Sequence, residues 1–289
     1  MELASHLWDE DDPAYAVCRC GLTSLYEHCS TENGGQVRVL ADSESLLAHM
    51  LYQRTAPGYA EMNQRISTLA QRIACAPPGT LPQEVRGACK VLSDKISTQE
   101  SMFVQDMREV VQQMNPACAN WSPFRRDKLK RDQALVAVRD RGMPWRIALA
   151  HVRKVRALLG IPPDAPELKE MADTVLEHIP ASIALYREIL ERLVTTGCDL
   201  SKPERANWIW DMQILMGIGE SIGNPPRRVT VVTGDKAIVE AAQTASVGDC
   251  VKSLDDYLSE LQAYSLALNS QVTPRGEASG QSVLGIVTE

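Results

Sequence analysis

An aspartate at the point where an apolar strand gives way to a helix is a candidate for ligand chemistry. Residues 229–233, VTVVT, are all β-branched, which predicts a short strand buried on both faces. Gly234 breaks the run, Asp235 follows, and residues 236–242 predict a helix. Open α/β sheets bind ligands at the carboxyl ends of their strands, so Asp235 is a candidate ligand; alternatively, it is the N-cap of the helix.

The chain after this helix completes a strand–helix–strand unit. Residues 250–254, CVKSL, predict a second short strand. Asp255 is predicted as the N-cap of a closing helix.

Asp42 repeats the first arrangement near the start of the chain. Residues 37–41, VRVLA, predict a strand, and Asp42, Ser43 and a leucine-containing helix follow. Either Asp42 or Ser43 would also serve as a helix N-cap. Two strand–Asp–helix junctions favour a shared site, and we expect Asp42 and Asp235 to end neighbouring parallel strands.

Asp211 is a third candidate, on a helix that precedes the VTVVT strand. Residues 201–204, SKPE, predict a capped helix start. Trp208, Asp211 and Leu215 share one helix face, where a carboxylate is costly unless something pairs with it. Asn207 lies one turn earlier on that face. The alternative is a partly exposed Asp211 at the edge of the apolar stripe.

The segments VLADSESLL and VVTGDK, the latter followed by VKSLDDYL, resemble the motifs of PIN-domain nucleases. These are small α/β domains that cut RNA with metal ions held by acidic residues, and Mg²⁺ and Mn²⁺ prefer such oxygen ligands. The resemblance covers residues 37–55, 80–95 and 201–262. It implies three catalytic metal ligands: Asp42, Asp211 and Asp235. It also implies supporting positions beside them: Ser43, Asn207 and Lys236.

The second acidic ligand of that family has no direct counterpart in this chain. Counting from Pro82 and Val85, Ala88 occupies its position. Glu84 lies one turn earlier on the same helix face, and we predict it as the substitute metal ligand. If no acid fills this position, the domain is a decayed, non-catalytic one.

The fold class implied by the resemblance is α/β, a three-layer PIN-like fold with a short central parallel sheet plus a mostly α-helical insertion. The predicted domain organisation has four parts. These are an N-terminal helical extension (1–36), a PIN-like domain (37–95 and 201–268), a helical insertion (96–200) and a flexible tail (269–289).

A dense basic segment lies in the predicted insertion and contains Arg125, Arg126, Lys128, Lys130 and Arg131. A helical surface rich in Arg and Lys beside a metal site would hold RNA phosphates. Aspartates interspersed among these residues support the alternative of a salt-bridged exposed face. The net charge of −7 argues against binding nucleic acid by bulk electrostatics, but it leaves a local basic groove open.

The composition is that of an ordinary globular protein, with 44% hydrophobic and 23% charged residues among 289. The eight cysteines are scattered, no secretory leader precedes them, and no apolar run is long enough to span a bilayer. These features predict a cytoplasmic protein with reduced thiols and no membrane contact.

Four residues near the N-terminus are of the types that bind zinc: Cys18, Cys20, His28 and Cys29. Their spacing matches no recognised zinc finger, and adjacent His28 and Cys29 would not easily reach one tetrahedral ion. Residues 14–28 instead predict a helix with Val17, Leu22 and Leu25 facing inward.

The function predicted from these residues is a Mg²⁺- or Mn²⁺-dependent endoribonuclease acting on single-stranded RNA. The alternative is a non-catalytic helical interaction protein that retains a decayed PIN-like fold and acts through a protein partner or a homo-oligomer. A NYN-like or other strand–Asp–helix metal phosphatase is a third option, but the D-x-D motif that would distinguish it is absent at residues 42–44, DSE.

Overall fold

The computed structural model describes residues 2–32, 43–114, 124, 126–162, 167–196, 208–216, 219–220, 228–229 and 231–271. The helices are α1 (Glu2–Ser5), α2 (Tyr15–Glu32), α3 (Ser43–Tyr52), α4 (Tyr59–Ala74), α5 (Gln83–Met114), α6 (Lys128–Arg139), α7 (Met143–Leu158), α8 (Leu168–His178), α9 (Pro180–Thr196), α10 (Trp208–Met216), α11 (Lys236–Thr244) and α12 (Leu254–Gln271). The strands are β1 (Gly219–Glu220), β2 (Arg228–Val229), β3 (Val231–Thr233) and β4 (Val251–Ser253).

Two parallel strands joined through a helix form the α/β part of the described chain. β3 pairs with β4 in parallel, with Val231 opposite Val251 and Thr233 opposite Ser253. α11 connects them and packs against both strands. This unit matches the predicted positions of both strands and of the intervening helix. The chain is therefore of mixed α/β class and mostly helical, while the three-layer PIN-like fold stays a prediction.

The longest helix, α5, links two hydrophobic cores. It contains 32 residues and is about 48 Å long. Its first half packs with α1, α2 and α4 around one core, which contains Ala4, Leu7, Cys18, Leu22, Ile66, Leu69, Ala70, Ile73, Leu81, Val85, Cys89 and Leu92. At helical spacing these apolar residues form the inward stripes of short amphipathic helices.

The second half of α5 belongs to a larger core shared with α3, α6 to α11 and β4. Its fully buried large apolar side chains are Leu47, Met107, Phe124, Ile189, Leu190, Leu193 and Leu215. α9 is central to this core because it packs against α6, α7, α8, α10 and α11. Helices of the predicted insertion therefore share one core with the strand–helix–strand unit. The predicted domain boundaries stay a prediction.

Three local predictions differ from the structure. The closing helix α12 is capped by Ser253 and not by Asp255: Ser253 Oγ accepts from the Asp256 amide at 3.0 Å and donates to Asp256 Oδ2 at 2.6 Å. In α2, Leu22 is buried, but Val17 and Leu25 are exposed, because Cys18 rather than Val17 faces the core. The residues of β3 are only half-buried, since β4 is the strand that pairs with it in the described chain.

Two cysteines of α2 whose side chains the structure describes, Cys18 and Cys20, do not share one environment. Cys18 is buried and Cys20 is exposed, so the two thiols face different environments. In the part of the chain that the structure describes, no helix is long and apolar enough to cross a membrane.

Candidate functional site

Asp235 lies at the carboxyl end of β3 and begins α11. Its Oδ1 accepts from the Ala237 amide at 2.7 Å, and its own amide donates to Thr233 Oγ1 at 3.0 Å. Asp235 and Lys236 are both exposed. The N-cap role is therefore present, but it uses only one of the two carboxylate oxygens, so it is compatible with a ligand role for the other.

Two substitutions at Asp235 separate the capping role from the ligand role. We expect Asp235→Ala to lower the free energy of unfolding by about 1 kcal/mol, because the α11 cap is lost. Asp235→Asn is expected to change the free energy of unfolding by roughly a few tenths of a kcal/mol, since Asn caps helices as well as Asp does. Urea unfolding in EDTA measures both; equal losses for the two variants would contradict the capping role.

Asp211 lies in the first turn of α10 and is half-buried. α10 packs on α9 and touches both α3 and α11. The neighbouring Trp210 fixes α10 to α5 by donating its indole N–H to Glu100 Oε1 at 3.0 Å. The helix that carries Asp211 thus contacts the helix that Asp235 caps and the helix that follows Asp42 in sequence.

Glu84 is not brought together with Asp211 and Asp235. It lies in the first turn of α5, where its carboxylate accepts from Arg72 at 2.9 Å and is 83% exposed. Its neighbour Val85 belongs to the first core, and Glu84 is about 24 Å along α5 from Glu100. Glu84 is therefore paired with Arg72 in the described structure, and its role as a metal ligand stays a prediction.

Three of the predicted positions fall outside the described residues: Asp42, Asn207 and Arg125. Ser43 begins α3, and its side chain is likewise not described. Among the residues that the structure does describe, no group of three or more His, Cys, Asp or Glu side chains could hold a metal ion.

The basic segment surrounds the start of α6. Arg126 and Lys128 are exposed, and Lys130 and Arg131 are half-buried. Asp127 caps α6 by accepting from the Lys130 amide at 3.1 Å, and its Oδ2 lies 3.8 Å from Lys130 Nζ. The predicted salt bridge is therefore present at Lys130, in the arrangement expected of an exposed face.

A cavity of about 450 Å³ is lined by residues of α3, α4, α5, α7, α9 and α10. Lys154 of α7 bridges two carboxylates there, with its Nζ 3.0 Å from Glu44 Oε1 and 3.2 Å from Asp106 Oδ2. Burial disfavours the charged ammonium, but the carboxylates of Glu44 and Asp106 outweigh it and raise the pKa of Lys154. The bridge joins α3, α5 and α7.

Two ring side chains lie on the same wall of the cavity. The rings of His151 and Tyr186 meet edge to face, with centroids 6.0 Å apart and planes at 78°. Burial, together with the charge of Lys154, lowers the pKa of His151 from 6.5 to about 4, although Glu44 opposes the shift. Burial and the charge of Asp106 raise the pKa of Tyr186. Both rings are therefore neutral at pH 7.

None of the residues that line this cavity was predicted from the sequence as a site residue. One signal was present: His151, Lys154 and Leu158 recur at i, i+3 and i+7 along α7, so a charge lies on a partly apolar helix face. Charged residues on such faces need partners, and those partners lie far away in sequence.

No protein-family model, curated protein or solved structure matches this chain.

Proposed function

We propose that this protein is a metal-dependent endoribonuclease of PIN-like type that cleaves single-stranded RNA. The observation that carries the proposal is the packing of α10, which touches both α3 and α11. Asp211 lies in the first turn of α10, Asp235 caps α11, and Asp42 immediately precedes α3 in sequence. Asp211 and Asp235 thus belong to two helices that contact each other, and α10 also touches the helix that follows Asp42 in sequence.

The donor set suits a hard divalent cation. Carboxylate oxygens are the ligands that Mg²⁺ and Mn²⁺ prefer, and Asp211, Asp235 and Asp42 would hold such an ion. When bound, the metal would supply an activated water and charge stabilisation for phosphodiester hydrolysis. Lys236, exposed directly after Asp235, would neutralise the phosphate of the bound RNA.

The basic segment gives the RNA a place to bind. Arg126 and Lys128 are exposed at the start of α6, and Lys130 and Arg131 follow on that helix. Contacts to phosphates position a strand without reading its sequence, so this surface would favour RNA over a small substrate. Arg125 belongs to the same segment of the sequence.

A second candidate, a non-catalytic interaction protein with a decayed PIN-like fold, is favoured by one observation. Glu84 is paired with Arg72 on the first core, and Ala88 stands where the second acid is expected. A site with one acid fewer binds metal more weakly. Such a protein would act through a protein partner or a homo-oligomer.

A cleavage assay separates the two functions. Purified protein is incubated with 5′-labelled single-stranded RNA and Mn²⁺ or Mg²⁺, with EDTA as the control. The nuclease proposal predicts RNA cleavage that EDTA abolishes. Cleavage that persists in EDTA would contradict the metal-dependent mechanism. No cleavage by folded protein in either metal would overturn the nuclease proposal and favour the interaction protein.

A further inference from the structure

The cavity around Lys154 has the volume of a small-molecule site. Its volume of about 450 Å³ falls within the range of roughly 300–1,000 Å³ that is usual for ligand pockets. Helices α5, α7 and α10 contribute most of the residues that line it, and α3, α4 and α9 contribute the others together with Ala56 and Pro57. Clefts between packed helices are a usual place for ligand sites.

The cavity lies on the other side of α10 from the proposed metal site. Ile209, Met212, Gln213 and Met216 of α10 line the cavity. Successive helical residues are rotated by about 100°, so Asp211 lies about 160° away from Ile209 around the helix axis. A ligand in the cavity is therefore separate from the proposed metal ligands.

The charged residues of the lining favour an uncharged ligand. The Lys154 ammonium lies between two carboxylates, 3.0 Å from Glu44 and 3.2 Å from Asp106. A cationic ligand would be repelled by that ammonium, and an anionic ligand would be repelled by the carboxylates. Because a charge that leaves water without a partner costs far more free energy than a neutral polar group, the cavity disfavours ions of either sign.

His151 and Tyr186 are the polar groups that a neutral ligand can use. Both side chains line the cavity, and both are half-buried. Within the part of the chain that the structure describes, neither the imidazole nor the phenol hydroxyl makes a hydrogen bond. Their polar atoms are not sealed from water. A neutral imidazole has one donor and one acceptor, and a phenol hydroxyl both donates and accepts, so this capacity is open to a ligand.

The rest of the wall is mostly apolar and adaptable. Its large apolar side chains include Met62, Met102, Phe103, Leu158, Met212 and Met216. Unbranched methionine side chains adjust their shape to an apolar ligand and make favourable contacts with aromatic rings. The wall is thus suited to a ligand whose body is apolar and whose polar part is small.

We propose that this cavity binds an uncharged alcohol or phenol, whose hydroxyl bonds to His151 and Tyr186 and whose apolar body packs on the methionines. A hydroxyl both donates and accepts, so it matches the imidazole and the phenol better than a carbonyl or an ether, which only accepts. The ion bridge of Lys154 stays intact beside such a ligand. The ligand needs neither carboxylate of that bridge.

Calorimetric titration with tryptophol, an indole that carries a hydroxyethyl group, tests the proposal. The comparison compound is 3-propylindole, in which a methyl group replaces the hydroxyl. We expect tryptophol to bind at least about fivefold more tightly, which corresponds to one net hydrogen bond. Tryptamine, a cation, and indole-3-acetate, an anion, should each bind at least about tenfold more weakly than tryptophol. All titrations contain EDTA, so metal ions take no part.

Two variants remove the polar groups but keep the rings. Tyr186→Phe deletes only the hydroxyl, and His151→Phe replaces the imidazole by a phenyl ring. Each should weaken tryptophol binding about fivefold and leave 3-propylindole binding unchanged. General damage to the cavity would instead weaken the binding of both compounds, so the pair of ligands separates loss of the hydrogen bond from loss of structure.

A third variant tests the location of the site. Gln99 lines the cavity from α5, and Gln99→Trp should abolish the binding of both compounds by filling the space. Ser97→Trp is the matched control, because Ser97 is exposed on the same helix, and this variant should bind like wild type. Circular dichroism establishes that each variant is folded; if Gln99→Trp is not, the Tyr186→Phe titrations decide.

Four results would overturn the proposal. These are no binding of tryptophol by folded wild type, equal or tighter binding of 3-propylindole, tighter binding of either charged compound, and unchanged tryptophol affinity in Tyr186→Phe. RNA cleavage does not enter this test, so its result is independent of the nuclease proposal.

Discussion

Asp211→Asn protein is expected to lose RNA cleavage by about 100-fold or more while it remains folded. Loss of even an outer residue of a metal site typically costs about 10- to 100-fold, and Asp211 is proposed as a direct ligand. Asn has the size of Asp and retains hydrogen-bonding capacity, so the half-buried first turn of α10 should keep its packing. Initial rates of labelled-RNA cleavage at saturating Mn²⁺, compared with wild type, measure the loss.

Asp255→Asn is the matched control for this prediction. Asp255 is exposed in the first turn of α12, and Ser253 and Asp256 supply the capping contacts there. The variant should therefore cleave RNA and melt like wild type. Cleavage by Asp211→Asn within about threefold of wild type would exclude Asp211 as a ligand, because such a change is smaller than outer residues of metal sites cause.

Acid is expected to destabilise the protein through His151. Its pKa is 6.5 when exposed and about 4 in the folded protein, so only the unfolded chain takes up a proton between these values. The contribution of His151 to the free energy of unfolding is therefore fully present above pH 6.5, and it is lost as the pH falls to 4. This lowering of the His151 pKa corresponds to about 3 kcal/mol in the free energy of unfolding. Glu44, Asp106, Lys154 and Tyr186 face the same region, so the comparison must be between variants.

His151→Phe isolates the contribution of His151. Phe retains a ring against Tyr186 but cannot take up a proton. When the pH is lowered from 6.5 to 4, the free energy of unfolding of the His151→Phe protein should therefore decrease less than that of wild type. Urea titrations at several pH values measure the difference. His178→Gln, at the exposed end of α8, is the control and should follow wild type. Parallel curves for wild type and His151→Phe would contradict the prediction.

The strand–helix–strand unit was predictable from the sequence because its signals are local. The β-branched run of β3, the break at Gly234 and the Asp235 cap lie within a few residues of one another. Local patterns of this kind report backbone preferences directly. The choice of Asp255 over Ser253 as the second cap was wrong by two positions, since both residues are good N-caps and the sequence alone does not rank them.

The cavity was not predictable in the same way, because it depends on tertiary contacts. Glu44, Asp106 and Lys154 come from three helices and meet only once α3, α5 and α7 pack together. The inward face of α2 shows the same difficulty on a smaller scale. Val17 and Cys18 are both acceptable core residues, and packing against α4 selects Cys18. The ion pair between Glu84 and Arg72 likewise joins two helices.

A crystal structure of the protein grown with Mn²⁺ tests the nuclease account most directly. The account predicts an anomalous difference peak at which oxygens of Asp42, Asp211 and Asp235 lie about 2.1–2.3 Å away, as is typical of oxygen ligands to hard divalent ions. The same crystals of Asp211→Asn should show a weaker peak or none. A Mn²⁺ ion bound elsewhere, or the three carboxylates too far apart to share one ion, would contradict the account.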